Sequence, residues 1–125
     1  MFVIRHADTR RTETPGATMT TLASPTLGNA DTPVWQVEMQ PGQAGPVHVI
    51  DTQQTWTVVD GRASFEVDGA ETVVEAGETI VIPGTAQRRV STPDGPGLTA
   101  IVIGARAARA SLPDGTDRGT PPWMA

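Results

Sequence analysis

The chain is 125 residues long, with 38% hydrophobic and 18% charged residues, a length for one closed core and no more. Its net charge is −5, with nine Arg, no Lys and no basic run, which argues against a nucleic-acid footprint. The absence of Cys excludes disulfides, thiolate metal sites and a Cys nucleophile. No apolar run reaches membrane-spanning length, and the start MFVIRHADTRR lacks the long apolar stretch and cleavage site of a signal peptide, so the expected setting is cytoplasmic and soluble.

Along the chain, residues 2–5 and 18–23 read as edge strands, and the polar stretch 10–16 as loop. Residues 34–40 alternate strictly: Trp35, Val37 and Met39 on one face, Gln36, Glu38 and Gln40 on the other, a half-buried strand closed by Pro41-Gly42. Residues 54–59 run into Asp60-Gly61 and residues 62–67 into Asp68-Gly69, two hairpin signals that predict a three-stranded meander over 54–59, 62–67 and 71–75. Short strands at 79–82, 87–91 and 98–103 follow, separated by turns rich in Pro, Gly and Asp. Residues 105–110 carry a weak helical composition. The tail from Pro113 is turn-rich, and Trp123 is expected to dock on the protein wall or on a partner subunit. The implied class is an all-β antiparallel sandwich or barrel in one domain. Residues 1–33 are expected to form N-terminal strands and loop available to pack on a partner subunit, 34–104 the barrel core and 105–125 the tail.

The residue spacing is more specific than the composition. Gly42, His48, Gln54 and Gly61 fall on the pattern G-x5-H-x-H-x3-E-x6-G, and Gly77, Pro83 and Arg88 on G-x5-P-x-G-x2-H. From 35 to 103 the chain resembles the cupin family, which implies a single-domain antiparallel β-barrel, the jelly roll or double-stranded β-helix. Members usually hold a divalent metal on three His and one Glu. Here those positions read His48, Ile50, Gln54 and Arg88. Ile cannot ligate, Gln offers a neutral oxygen and a guanidinium repels a cation. A tightly held zinc or iron needs three or four N, O or S donors. No metal cofactor is therefore expected, and His48 and Gln54 are the only donors if a divalent ion binds at all. Thr85 stands where the family has Gly, so a one-residue shift would bring Gln87 or Arg89 to the last ligand position.

Period-2 alternation puts Gln54, Trp56 and Val58 on one face. With Trp35 and Met39 as apolar wall, His48, Gln54, Trp56 and Arg88 describe a small-molecule pocket, in which Arg88 clamps a carboxylate, enolate or phenolate. In the opposing reading the groups satisfy one another, Arg88 pairing with Asp51 or Glu66 and His48 with Gln54 or a backbone carbonyl. Three functions follow. The first is a binding barrel for a small anionic or aromatic ligand. The second is a non-redox isomerase, cyclase or lyase with His48 as acid or base and Arg88 as anion clamp. The third and weakest is a metal-dependent dioxygenase. By resemblance the chain is expected to be a homodimer, with no nucleic-acid or membrane partner.

Overall fold

A computed structural model describes all 125 residues. Twelve strands run in chain order: β1 (Arg10–Glu13), β2 (Thr18–Ala23), β3 (Val34–Met39), β4 (Gln43–Ala44), β5 (His48–Ile50), β6 (Gln54–Val67), β7 (Ala70–Glu75), β8 (Thr79–Ile82), β9 (Gln87–Thr92), β10 (Leu98–Ile103), β11 (Ala110–Ser111) and β12 (Asp117–Gly119). Single 3-10 turns occur at His6–Asp8 and Pro122–Met124. No helix is long and apolar enough to cross a membrane.

Every strand pairing is antiparallel, and the expected all-β barrel is the observed architecture. One sheet runs β1-β2-β3-β10-β6-β8 and the other β7-β6-β9-β5-β11-β12, with β4 also on β9. The two sheets share β6. Its first part pairs with β8 and β10, its second with β7 and β9. A strand long enough to serve both sheets curls them around one core.

That continuity corrects the meander expected at residues 54–75. Asp68-Gly69 does form a two-residue hairpin, both residues at positive φ (48° and 83°), with Val67 opposite Ala70. Asp60-Gly61 does not. Only Gly61 has positive φ (73°), and the chain runs straight on from β10 to β7 as pairing partner. The register slips by one residue at Val59, between Val58–Ala100 and Asp60–Thr99, a bulge that lets β6 change sheets. A Cβ on Gly61 would overlap the Gly97 carbonyl oxygen, so glycine is required here by close backbone approach as well as by φ.

The alternation of residues 34–40 holds: Trp35, Val37 and Met39 are buried. They join Val58, Ala63 and Phe65 of β6, Val90 of β9, and Leu98, Ala100 and Val102 of β10 in one core. Phe65 is fully buried and meets Trp56 edge to face at 5.4 Å; burying such a ring contributes about 2–3 kcal/mol.

The ends differ from expectation. Residues 2–5 pair with no strand, whereas 10–13, read as loop, form β1 against β2. The segment 105–110 contains no helix and leads through a turn into β11. Trp123 packs part-buried on the core as expected, yet its neighbour Met124 is the fully buried side chain, 1% exposed. Nothing in the local sequence distinguishes these two apolar neighbours; the fold-back of the tail decides which one enters.

Candidate functional site

His48 begins β5 and Arg88 is the second residue of β9, and the two stand directly opposite in the ladder. Alternation along β9 buries Arg88, Val90 and Thr92, while Gln87 is exposed and Arg89 only part-buried, its Nε donating to the Gly45 carbonyl. No one-residue shift has therefore occurred: Arg88 itself holds the inward position. The turn before it includes Thr85 at φ 67°, where a β-branched residue sits in the left-handed region. The Thr85 N–H donates to the Ile50 carbonyl at 2.8 Å, which ties this turn to β5.

Gln54 and Trp56 lie on the inner face of β6, as their spacing predicts. Gln54 is 4% exposed, and its Oε1 accepts from the Trp56 indole Nε1 at 3.1 Å and from Arg88 Nη1 at 3.4 Å. Arg88 Nε donates to the Ala86 carbonyl at 3.1 Å and Nη2 to the Pro83 carbonyl at 2.9 Å. Three of its five N–H donors are thus engaged, all by neutral acceptors. Asp51 accepts instead from the Arg109 N–H, and Glu66 is exposed opposite Arg89. Neither gives Arg88 the carboxylate partner that mutual satisfaction would supply. Arg88 is 2% exposed and takes part in none of the ion pairs of the structure. Burial lowers its pKa to about 10, opposed by Asp68, so it stays a cation at neutral pH.

His48 is part-buried, with Nδ1 2.9 Å from the Pro46 carbonyl oxygen. A carbonyl only accepts, so Nδ1 carries the proton and Nε2 keeps its lone pair. Burial is the largest influence on this imidazole and lowers its pKa; the Pro46 bond opposes it and the Arg88 charge lowers it further.

The remaining expected residues divide. In register, Trp35 and Trp56 flank Val102 of β10, so Trp35 belongs to the same end of the barrel, yet it is 2% exposed and closed over by Met124. Met39 is not brought to the cluster. It pairs with Leu98, itself opposite Gly61, at the other end of β3, where it lines a surface groove of about 180 Å³ with Asp60 and Leu98. Sharing a face with Trp35 did not place Met39 near it, because a strand rises by about 3.3 Å per residue. Met124 is the participant that sequence reasoning missed. Its Sδ is 4.0 Å from Gln54 Nε2, about 70 residues away along the chain, and no local pattern signals such a contact.

The four metal-ligand positions read His48, Ile50, Gln54 and Arg88, and their chemistry does not fit a divalent cation. The Arg88 guanidinium points inward onto the Gln54 oxygen, the neutral donor a metal would need. No three His, Cys, Asp or Glu side chains gather at metal-binding distance anywhere in the structure.

Comparison with known proteins adds the family. None of the curated proteins matches the chain by sequence. Among solved structures, the polyketide cyclase RemF from Streptomyces resistomycificus superposes with a TM-score of 0.74 at 19% identity, over 98% of this chain and 88% of that one. An RmlC-like cupin from Shewanella frigidimarina gives 0.72 at 21%, over 86% and 92%. The Bacillus subtilis oxalate decarboxylase, a protein with Mn(II) centres, gives 0.70 at 19%, over 82% of this chain and 29% of that one. At these identities the likeness is one of fold. The Cupin domain model matches residues 35–103, more than half of the sequence and the whole span from β3 to β10. By its motif spacing, its barrel and that match, the chain belongs to the cupin family.

Proposed function

We propose that this barrel binds a small organic anion, aliphatic or aromatic, against Arg88, Gln54, Trp56 and His48, without a tightly held metal. The observation that carries the reading is Arg88, a buried guanidinium with no carboxylate partner. An unpaired charge inside a protein costs several kcal/mol, and an anion seated beside it removes that cost. The unspent N–H groups of Arg88, and a Gln54 amide whose Nε2 meets only a thioether sulfur, a weak acceptor, leave a surplus of donors for oxygen atoms. Trp56, part-buried beside them, offers the apolar surface such sites need.

The test is a ligand titration. Acetate and benzoate should raise the melting temperature of the wild-type protein and shift the Trp56 indole N–H resonance. Arg88→Met should fold at least as stably, since an apolar side chain of similar length replaces an unpaired buried charge, and should lose both responses. An Arg88→Met protein that responds like wild type would overturn the proposal.

A second reading, supported by His48, is a non-redox isomerase, cyclase or lyase. A neutral imidazole with Nε2 free, facing a guanidinium, has the groups needed to take a proton and hold the resulting oxyanion. RemF, with the same barrel, is named a polyketide cyclase. If the protein is an enzyme, His48→Ala abolishes turnover of a bound anion while its binding survives. If it is a binding module, that variant changes affinity alone.

The proposal also includes a second copy of the chain. Val34, Ile103, Thr55 and Val81 form one outward row across four strands, and Gln36, Ile101, Thr57 and Thr79 the next. These eight positions are uncharged on a chain of net charge −5, with Arg11 and Glu38 at their margin on the same face, so two copies meet there with little repulsion.

A further inference from the structure

Residues 121–125 close one side of the cluster without belonging to either sheet. Met124 is 1% exposed; its Cε lies against Gly104, as does the Trp35 ring, and its sulfur lies on the Gln54 amide. The backbone bonds of this segment are local, Met124 N–H to Pro121 and Ala125 N–H to Pro122. Side chains make its polar ties to the barrel. Thr21 Oγ1 donates to the Trp123 carbonyl at 2.8 Å, and Ser24 Oγ, Thr26 Oγ1 and Arg10 Nη2 converge on the Ala125 carbonyl oxygen at 2.8, 2.6 and 3.0 Å. Arg10 also holds Ser24 and Thr26 themselves, at 2.7 and 2.9 Å.

This differs from the rest of the wall. Elsewhere the barrel is held by β ladders, whose hydrogen bonds are lost only when strands separate. Here a buried methionine is held by a latch of four side chains, and a segment without ladder bonds opens at lower free energy than its surroundings. The group it covers is poorly served by it. Gln54 is a buried amide, 4% exposed, whose Nε2 has a sulfur 4.0 Å away as its partner, a long contact to a weak acceptor. Little hydrogen bonding is therefore lost when Met124 moves away. Methionine is also the most deformable of the apolar side chains, suited to a wall that gives way.

We propose that residues 121–125 are a detachable wall of the anion site, with Met124 occupying the space that the apolar part of a larger ligand takes. The inference rests on the anion-binding reading above. A carboxylate small enough to sit beside Arg88 alone binds with the wall closed, and one bearing a ring must displace Met124. Met124 is then a determinant of ligand size, and the Arg10–Ser24–Thr26 latch sets how much of the protein is ready for the larger ligand. A ligand that needs the open form binds more weakly by the open fraction, so loosening the latch tightens that ligand alone.

The experiment is an NMR titration of the whole chain with acetate and with benzoate, reading the Trp56 indole signal, on wild type, Met124→Ala and Arg10→Gln. Arg10→Gln leaves the core untouched, so the test survives if Met124→Ala folds poorly. Both variants should bind benzoate at least about tenfold more tightly, with acetate affinity changed less than about twofold. In wild type, benzoate should speed hydrogen exchange of the Met124 and Ala125 amides. If both anions bind wild type, Arg88→Met abolishes that binding, and yet the variants leave the benzoate-to-acetate ratio unchanged, the wall is a fixed part of the core and this inference fails while the anion site stands. If neither anion binds wild type or either variant, the anion site fails and the inference with it.

Discussion

An imidazole and a guanidinium face each other across β5 and β9, and both cannot be charged without cost. The guanidinium keeps its proton near neutral pH and the imidazole gives way, its pKa lowered first by burial and further by Arg88. As pH falls, the unfolded chain therefore takes up the His48 proton first, at its ordinary value of 6.5, and the folded chain resists. The contribution to stability is complete above that value and is lost as pH falls through it toward the lowered folded value. Urea midpoints measured from pH 7.5 to 5 should decline for wild type and decline less for His48→Gln; equal slopes would contradict a neutral folded imidazole. His48, Gln54 and Arg88 were legible through the motif positions that the resemblance to the cupin family assigns, and alternation along the strand then set the face Gln54 takes. The partners of Arg88 were not. Asp51 and Glu66 were the carboxylates expected to pair with it, but Asp51 caps the Arg109 N–H and Glu66 points outward, and the carbonyls of Pro83 and Ala86 took their place.

Two Asp-Gly dipeptides eight residues apart carry the same local signal and build different structures. At Asp68-Gly69 both residues take positive φ and the chain reverses; at Asp60-Gly61 only the glycine does, and β6 passes from one sheet into the other. Local propensity permits either outcome. What decides is the partner strand: residues 98–103 lie beside β6 as far as Gly61, and hydrogen bonds to β10 hold the chain extended there. The surroundings separate the two glycines energetically. Gly69 faces open space, so Gly69→Ala meets only the left-handed backbone and should cost about 1 kcal/mol. Gly61→Ala adds overlap with the Gly97 carbonyl and should cost about 3 kcal/mol or more. Urea denaturation of the two variants gives the comparison, and equal losses would mean that β10 does not press on Gly61.

For the whole molecule, the uncharged outward row of Val34, Ile103, Thr55 and Val81 is the proposed seat of a second copy, because it sets no like charges against each other on an acidic chain. Sedimentation at micromolar concentration should give twice the 13.1 kDa chain mass. Ile103→Glu, at a position 46% exposed in the single chain, should return a monomer without loss of fold. A monomeric wild type at high concentration would remove the second copy from the proposal.

By itself the order of residues determined the class of fold, the inner face of each central strand and the identity of the inward cation at position 88. The first two follow from period-2 alternation and turn chemistry, which act over a few residues; the third follows from the motif spacing shared with the cupin family. Tertiary structure alone decided that Asp60-Gly61 would be a crossing rather than a turn, that Met39 would lie at the far end of the barrel, and that Met124 would close over Gln54. Each of these depends on which segments meet across the barrel, and such meetings are set by competition among all the strands for one core, a choice that no single stretch of chain encodes.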